Sequence, residues 1–279
     1  LWTQFQNIRV ARQRVNELFE IKPEDSAVTA EMPLLEGKIE LRNLGFSHAD
    51  GKKIFDRLDL VVEPGDSVAI TGDNGTGKTT LLWLLMGALR PDSGDILLDG
   101  KNPSDYTAES TRRQIAYLPQ HGVMFKGTIL ENITGFRKEI GVDRVVEIAR
   151  RLGLDDIVMR MPEGYDTEVG GQASETLPRG VKQRIAVARA LIDYPRIVLF
   201  DEANSSLDMA GDNIMASLML ELKKHCTLVM VSHRPSLIAL ANKQYRIVDH
   251  HLVPVLKRSN ARVTRAESNF SAPVETGAQ

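Results

Sequence analysis

Cysteine is nearly absent from this 279-residue chain: Cys226 stands alone. No internal disulfide can form, which suits a reducing compartment. Its neighbours Thr227-Leu228-Val229-Met230-Val231 mark it as a small buried hydrophobe rather than a reactive thiol. Long hydrophobic runs are missing too, none approaching the ~18 apolar residues that a membrane-spanning helix needs. Nor is there an excess of one charge, since 35 basic residues face 37 acidic ones for a net charge of −2. Without a basic field, nothing points to nucleic acid or to an anionic membrane surface. The chain starts at Leu1 without a methionine or a signal-peptide pattern. The expectation is a fragment whose upstream part lies elsewhere. At this length it holds a large core, or one domain with subdomains.

What is present is concentrated in residues 72–80, Gly72-Asp73-Asn74-Gly75-Thr76-Gly77-Lys78-Thr79-Thr80. The apolar run Ser67–Ile70 leads in and Leu81–Leu85 comes after, so the pattern G-x-x-x-x-G-K-[ST] lies between a buried strand and a helix. Its glycines let main-chain amides turn toward one point, and the new helix aims its positive end there. Lys78 is placed to reach β- and γ-phosphates and Thr79 to hold Mg²⁺. The pattern predicts a nucleoside triphosphate site. A second apolar run, Ile197–Phe200, ends in Asp201-Glu202. Ligands gather at the carboxyl ends of strands in doubly wound sheets. There Asp201 would hold the metal through a water and Glu202 would polarise an attacking water. Two helix-capping acids are the plainer alternative.

Along the chain, residues 4–20 carry Ile8, Ala11, Val15 and Leu18 at helical spacing, and 21–36 are polar and aperiodic, a linker. Antiparallel strands are expected over 39–46 and 58–62, and a further hairpin over 95–100. Strands are also expected at 115–118, 197–200, 227–231 and 245–255. Helices are expected over 128–134, 142–161, 182–194, 209–224 and 235–241. The order predicts an α/β fold with a mainly parallel core sheet, an antiparallel β subdomain and a helical insert at about 121–178. The domain would span 37–256, and the polar stretch 257–279 is read as a disordered tail.

These motifs in this order resemble the nucleotide-binding domain of ATP-binding-cassette (ABC) transporters, over roughly 37–255. Tyr117-Leu118-Pro119-Gln120 is similar to the Q-loop, Ser205-Ser206-Leu207-Asp208 to the D-loop and Val231-Ser232-His233-Arg234 to the switch-histidine segment. The resemblance implies that Gln120 senses Mg²⁺ and the lytic water, that His233 contacts the γ-phosphate and that Asp208 crosses a dimer interface. Gly127–Ile133 and Thr167–Gly170 resemble segments of exporters that fuse membrane and ATPase domains. Residues 1–20 then look like the cytoplasmic extension of a last membrane helix. The implied cofactors are ATP and Mg²⁺. The implied partners are a fused upstream membrane domain and a second ATPase domain, in a homo- or heterodimer, at the cytoplasmic face of a membrane.

Two departures from the family pattern stand out. The signature Leu-Ser-Gly-Gly-Gln is replaced by Leu177-Pro178-Arg179-Gly180-Val181. In the family this motif covers the nucleotide of the partner subunit. Pro178 offers neither hydroxyl nor amide, and losing one hydroxyl–phosphate bond costs on the order of 1.5–3 kcal/mol. Either the site completed on the partner is impaired, or the Arg179 guanidinium substitutes for the lost donors, or the loop faces solvent in any state with no functional consequence. His48 stands where the family stacks adenine on an aromatic ring; it either stacks there or is an exposed loop histidine. Two other readings remain: a soluble ATPase of this type without a membrane partner, and a regulatory ATP-binding subunit with little turnover.

Overall fold

A computed structural model of the protein describes residues 28–171, 177–203 and 209–255. The expected helix at 1–20, the tail at 257–279 and the segment Ser205–Asp208 lie outside the described residues. Residues 28–36 carry neither helix nor strand, yet Met32 and Leu35 are buried. The Gln114 side chain fastens this stretch, accepting from the Leu35 N–H at 2.7 Å and donating to the Pro33 carbonyl at 3.0 Å.

β1 (Ile39–Ser47) and β2 (Lys53–Val62) form the antiparallel pair expected, the second longer than its apolar pattern suggested. β3 (Ser67–Thr71) leads through the Gly-rich loop into α1 (Lys78–Leu85). β4 (Ser93–Leu98) takes β1 as its antiparallel partner instead of forming a hairpin of its own. The expected hairpin at Asp99-Gly100 shrinks to a single bridge between Leu98 and Lys101. α2 (Ala108–Arg112) precedes β5 (Ile115–Leu118), and β6 (Gly127–Thr128) opens α3 (Ile129–Thr134) with a capping box of Thr128 and Glu131.

The helix expected over 142–161 is two helices, α4 (Val142–Arg151) and α5 (Asp155–Val158). Gly153 takes φ +58°, and the Leu154 N–H closes back on the Ala149 carbonyl at 2.8 Å, the closure that ends helices at a left-handed glycine. The apolar period hid the break, because Ile157 and Val158 continue it beyond the turn. After β7 (Glu168–Val169), α6 (Arg179–Leu191) starts three residues earlier than expected. β8 (Ile197–Asp201), α7 (Met209–Leu222) and β9 (Thr227–Val231) come next. α8 (Pro235–Ile238) is shorter than expected, because Asn242 is drawn into the sheet by bonds with Ser67 at 2.9 and 2.6 Å. β10 (Lys243–Val248) and β11 (His251–Pro254) form the last hairpin.

Among the described residues the main sheet has the order β11-β10-β3-β9-β8-β5, parallel except for the edge strand β11. Strands covered on both faces read as continuous apolar runs, and every residue of β8 and β9 is buried. Alternate residues feed two cores. Val198 and Phe200 pack with α3, α4 and α6, whereas Ile197 and Leu199 pack with α1 and the separate sheet β2-β1-β4. The carboxyl ends of β3, β8 and β9 therefore finish near one another, at the start of α1.

Candidate functional site

The Gly-rich loop turns where its sequence demands. Gly77, the residue before α1, has φ +96°, a conformation that side-chain-bearing residues rarely adopt. A Cβ there would stand 2.4 Å from Ile54 Cγ2 and 2.9 Å from Phe55 Cζ of β2. Only glycine lets the loop lie this close to the antiparallel sheet. Gly72 is also buried, Thr80 is 7% exposed, and Asp73, Asn74 and Gly75 face solvent. Thr76 closes the bend, its hydroxyl donating to the Asp73 carbonyl at 3.0 Å.

Lys78 is 8% exposed, and its ammonium donates to the Gly72 and Asp73 carbonyls, both at 2.9 Å. Among the described residues no carboxylate pairs with it. A buried cation balanced only by neutral dipoles is costly, and an anion on the loop offsets that cost. The first turn of α1 holds no acidic residue to neutralise the helix's positive end. This end of the molecule therefore fits a polyphosphate.

The other side of the site comes from β8. Asp201, 5% exposed, accepts from the Thr79 hydroxyl at 3.1 Å on Oδ1 and from the Tyr117 hydroxyl at 2.8 Å on Oδ2. Burial first, and then the hydrogen bond to Asp201, push the Tyr117 hydroxyl above its ordinary value of 10.0, so it remains protonated and donates. A hydroxyl and a carboxylate oxygen are hard ligands of the kind Mg²⁺ takes alongside water and phosphate oxygens. Among the described residues no group of three or more His, Cys, Asp or Glu side chains is placed to hold a metal ion. A magnesium ion here would rely on Thr79, Asp201 and the nucleotide itself.

Glu202 is next along the chain, with φ +48°, outside the regions that glutamate prefers, and its N–H is tied to the Val231 carbonyl at 2.9 Å. From this strained position its carboxylate meets two other side chains. Gln120 Nε2 donates to Oε2 at 3.3 Å, and His233 Nε2 lies 3.2 Å from Oε1. Thr79, Asp201, Glu202, Gln120 and His233 thus form one connected group, although they come from four separate stretches of sequence. His48 lies outside it, in the turn between β1 and β2. Its ring meets Phe46 edge-on at 5.3 Å, and the turn is closed by the Gly51 N–H at 2.8 Å.

The altered stretch Leu177–Val181 behaves differently. Pro178 is the residue before α6 and caps it with its carbonyl alone, accepting from the Val181 N–H at 3.0 Å and the Lys182 N–H at 3.2 Å. Pro178 and Arg179 are exposed, Gly180 is half-buried, Leu177 packs on the core, and Val181 is 7% exposed. Asp208 lies outside the described residues.

Sequence reasoning assigned no role to several residues that build this site. Gln183, fully buried on α6, donates to the Pro119 carbonyl at 2.7 Å and fixes the segment before Gln120. Arg189 lies over the Phe125 ring at 4.6 Å and donates to the Val123 carbonyl at 3.0 Å. Tyr117 and Trp83 join Asp201 in a chain of hydrogen bonds. A hydroxyl inside the apolar strand β5 was the available signal at Tyr117, whereas Gln183, between Lys182 and Arg184, carried none.

A protein-family model described as ABC transporter matches residues 55–205. The chain is 35% identical over 244 residues to the alpha-hemolysin translocation ATP-binding protein HlyB of Escherichia coli O157:H7, covering 87% of this chain and 34% of that protein. It is 34% identical over 250 residues to the human mitochondrial iron-sulfur clusters transporter ABCB7, covering 87% of this chain and 33% of that protein. It thus spans about a third of the length of these curated relatives. A solved structure of a bacterial Atm1-family ABC exporter with ATP bound superposes with a TM-score of 0.75 at 30% identity, covering 90% of this chain and 45% of that one.

Proposed function

Because the chain belongs to the ABC transporter family, we propose that it is the ATP-binding and hydrolysing domain that powers an exporter, acting at the cytoplasmic face of a membrane. The observation that carries this is the buried Lys78 ammonium, which has no carboxylate partner among the described residues and stands beside the group formed by Thr79, Asp201 and Glu202. The likeness to exporters over nearly the whole chain supports the coupling to transport. Among the described residues no helix is long and apolar enough to cross a membrane, so a membrane domain would be supplied from outside them.

In this reading the loop amides and Lys78 bind the β- and γ-phosphates, and Thr79 with Asp201 holds Mg²⁺. When bound, the ion offsets the charge that develops on the phosphate oxygens. Glu202 accepts a proton from the attacking water, or orients it. Gln120 and His233 hold the two oxygens of Glu202, which restricts the carboxylate to one orientation. His48 supplies a ring for the adenine. Two such domains pair head-to-tail around two nucleotides, each contributing its Pro178–Val181 stretch and Asp208 to the other's site. With proline and arginine in that stretch, hydrolysis in the site it completes is slow.

A second reading is a regulatory subunit that binds ATP and hardly turns it over. Proline and arginine in place of the signature serine and glycine, which leave α6 without a side-chain cap, favour it. The decisive experiment for the site is nucleotide binding by Lys78→Ala. The intact chain is expected to bind ATP, and the variant to bind about a hundredfold more weakly, through loss of charge-assisted bonds. Equal binding by the two proteins would remove the basis of the reading.

A further inference from the structure

Asp201 is held from a direction that the phosphate-binding pattern does not contain. β5 and β8 pair in parallel with Tyr117 opposite Leu199. Side chains alternate along a strand, so Asp201, two residues beyond Leu199, lies on the same face as Tyr117 and diagonal to it. That is the face covered by α1. On α1, Thr79 and Trp83 are four residues apart and share one side of the helix. The Trp83 indole N–H donates to the Tyr117 oxygen at 3.2 Å, the Tyr117 hydroxyl donates to Asp201 Oδ2 at 2.8 Å, and the Thr79 hydroxyl donates to Oδ1 at 3.1 Å. The four side chains form a ring closed through one turn of helix. With its oxygen already accepting from Trp83, Tyr117 has its own proton directed to the carboxylate.

We propose that Tyr117, oriented by Trp83, is a positioning residue that holds Asp201 facing Thr79 and so sets how strongly the site prefers magnesium-bound ATP over free ATP. This rests on reading the site as one for Mg–ATP. Once Thr79 serves a metal, Tyr117 is the carboxylate's remaining side-chain donor in this ring, so its effect is concentrated in the metal-bound state. Partners that orient a metal's ligands typically contribute about ten- to a hundredfold to metal affinity. With Asp201 acting through a water, the lower end applies.

The test is calorimetric titration of the 279-residue chain with ATP, once in excess EDTA and once in excess magnesium. The ratio of the two affinities is compared between the wild type and Tyr117→Phe, which keeps the ring and removes the hydroxyl. The ratio is expected to fall about tenfold, with affinity in EDTA unchanged. Trp83→Phe is expected to lower the ratio by less, and tests the same ring should the tyrosine variant fail to fold. An unchanged ratio in Tyr117→Phe overturns the proposal, as does an equal loss in both conditions, which would mark a merely structural role. Failure of the wild type to bind ATP in either condition is a different result: it defeats the nucleotide site itself, and is read before any variant is made.

Discussion

The two regions expected to touch nucleotide are built in opposite ways. The region proposed to serve the chain's own nucleotide, from Gly72 to Thr79 with Asp201, Glu202, Gln120 and His233, is tied together by internal hydrogen bonds. It is partly buried, and it includes a glutamate in a strained backbone conformation. The stretch Leu177–Val181 is anchored at its ends by Leu177 and the buried Val181, while its middle, Pro178 and Arg179, faces solvent with a proline carbonyl as its only cap. The strain at Glu202 costs about 1–3 kcal/mol and persists only where the surroundings impose it. The outer stretch offers a partner neither hydroxyl nor uncharged close approach.

The largest effect expected from breaking this contrast is at Glu202. Glu202→Gln keeps the shape and removes the base, so ATP turnover should fall by about 10²–10⁴-fold while ATP affinity is retained. Single-turnover hydrolysis with a nucleotide-binding control checks this. Turnover within a fewfold of wild type would mean that the chain's inner region does no catalysis, leaving the regulatory reading.

Next in size is repair of the outer stretch. The double substitution Pro178→Ser/Arg179→Gly restores a hydroxyl and removes a bulky cation at the first residue of α6. If the two regions meet across a dimer, steady-state turnover should rise by about ten- to a hundredfold, the worth of a hydrogen bond to a charged group. A serine at this position also caps the helix, worth about 1 kcal/mol, but glycine at the first helical residue costs about as much, so the melting temperature of the double variant should stay close to that of the wild type. An unchanged melting temperature with unchanged turnover would count against the impaired-site reading.

How much of this was legible in the sequence depended on how local the cause was. The turn at Gly77 and the start of α1 arise from a nine-residue pattern, and the position of β8 inside the sheet, not at its edge, from its unbroken apolar run. The ending of α4 at Gly153 was obscured because Val145, Ile148, Ile157 and Val158 keep a helical period across the break, while one glycine in a left-handed conformation decides the backbone. Asp201 and Glu202 could be located at a strand end. Their fastening by Tyr117 and Trp83 could not, because it depends on the register of β5 against β8, which are far apart in the chain. Gln183 was hidden for a similar reason: only the packing of α6 on the segment 119–122, where a Cβ on Gly122 would stand 2.5 Å from the Lys182 carbonyl, shows why a buried amide is needed there.

The smallest expected effect tests whether the inner region depends on the far end of its own strand. β3 carries the Gly-rich loop at its carboxyl end, and at its other end Asp66 is clasped by Lys243 at 2.6 Å, by the Asn242 amide at 2.7 Å and by the Glu63 N–H at 3.0 Å. Burial of Asp66 works to raise its pKa, but the bonds from Lys243, Asn242 and the Glu63 main chain outweigh it and hold the carboxyl below its ordinary value of 3.8. The hydrogen bond from Lys243 to Asp66 in turn raises the lysine above 10.5. A carboxyl depressed in the folded state stabilises fully above its unfolded value, and the contribution is lost as pH falls through the depressed one. The raised lysine stabilises fully below 10.5 and loses its contribution as pH rises through its raised value. Asp66→Asn should therefore lower stability by about 1–2 kcal/mol, discounted for the partial exposure of Lys243, at neutral pH. The gap from wild type should begin to narrow as pH falls below 3.8 and close only as it passes through the depressed value of the folded carboxyl. Thermal melts at neutral pH and at a series of acid pH values descending below 3.8 measure the gap. ATP titration at neutral pH should give equal affinities for the two proteins. If affinity falls together with stability, the loop at one end of β3 is held partly by the clasp at the other, and the inner region is not self-contained.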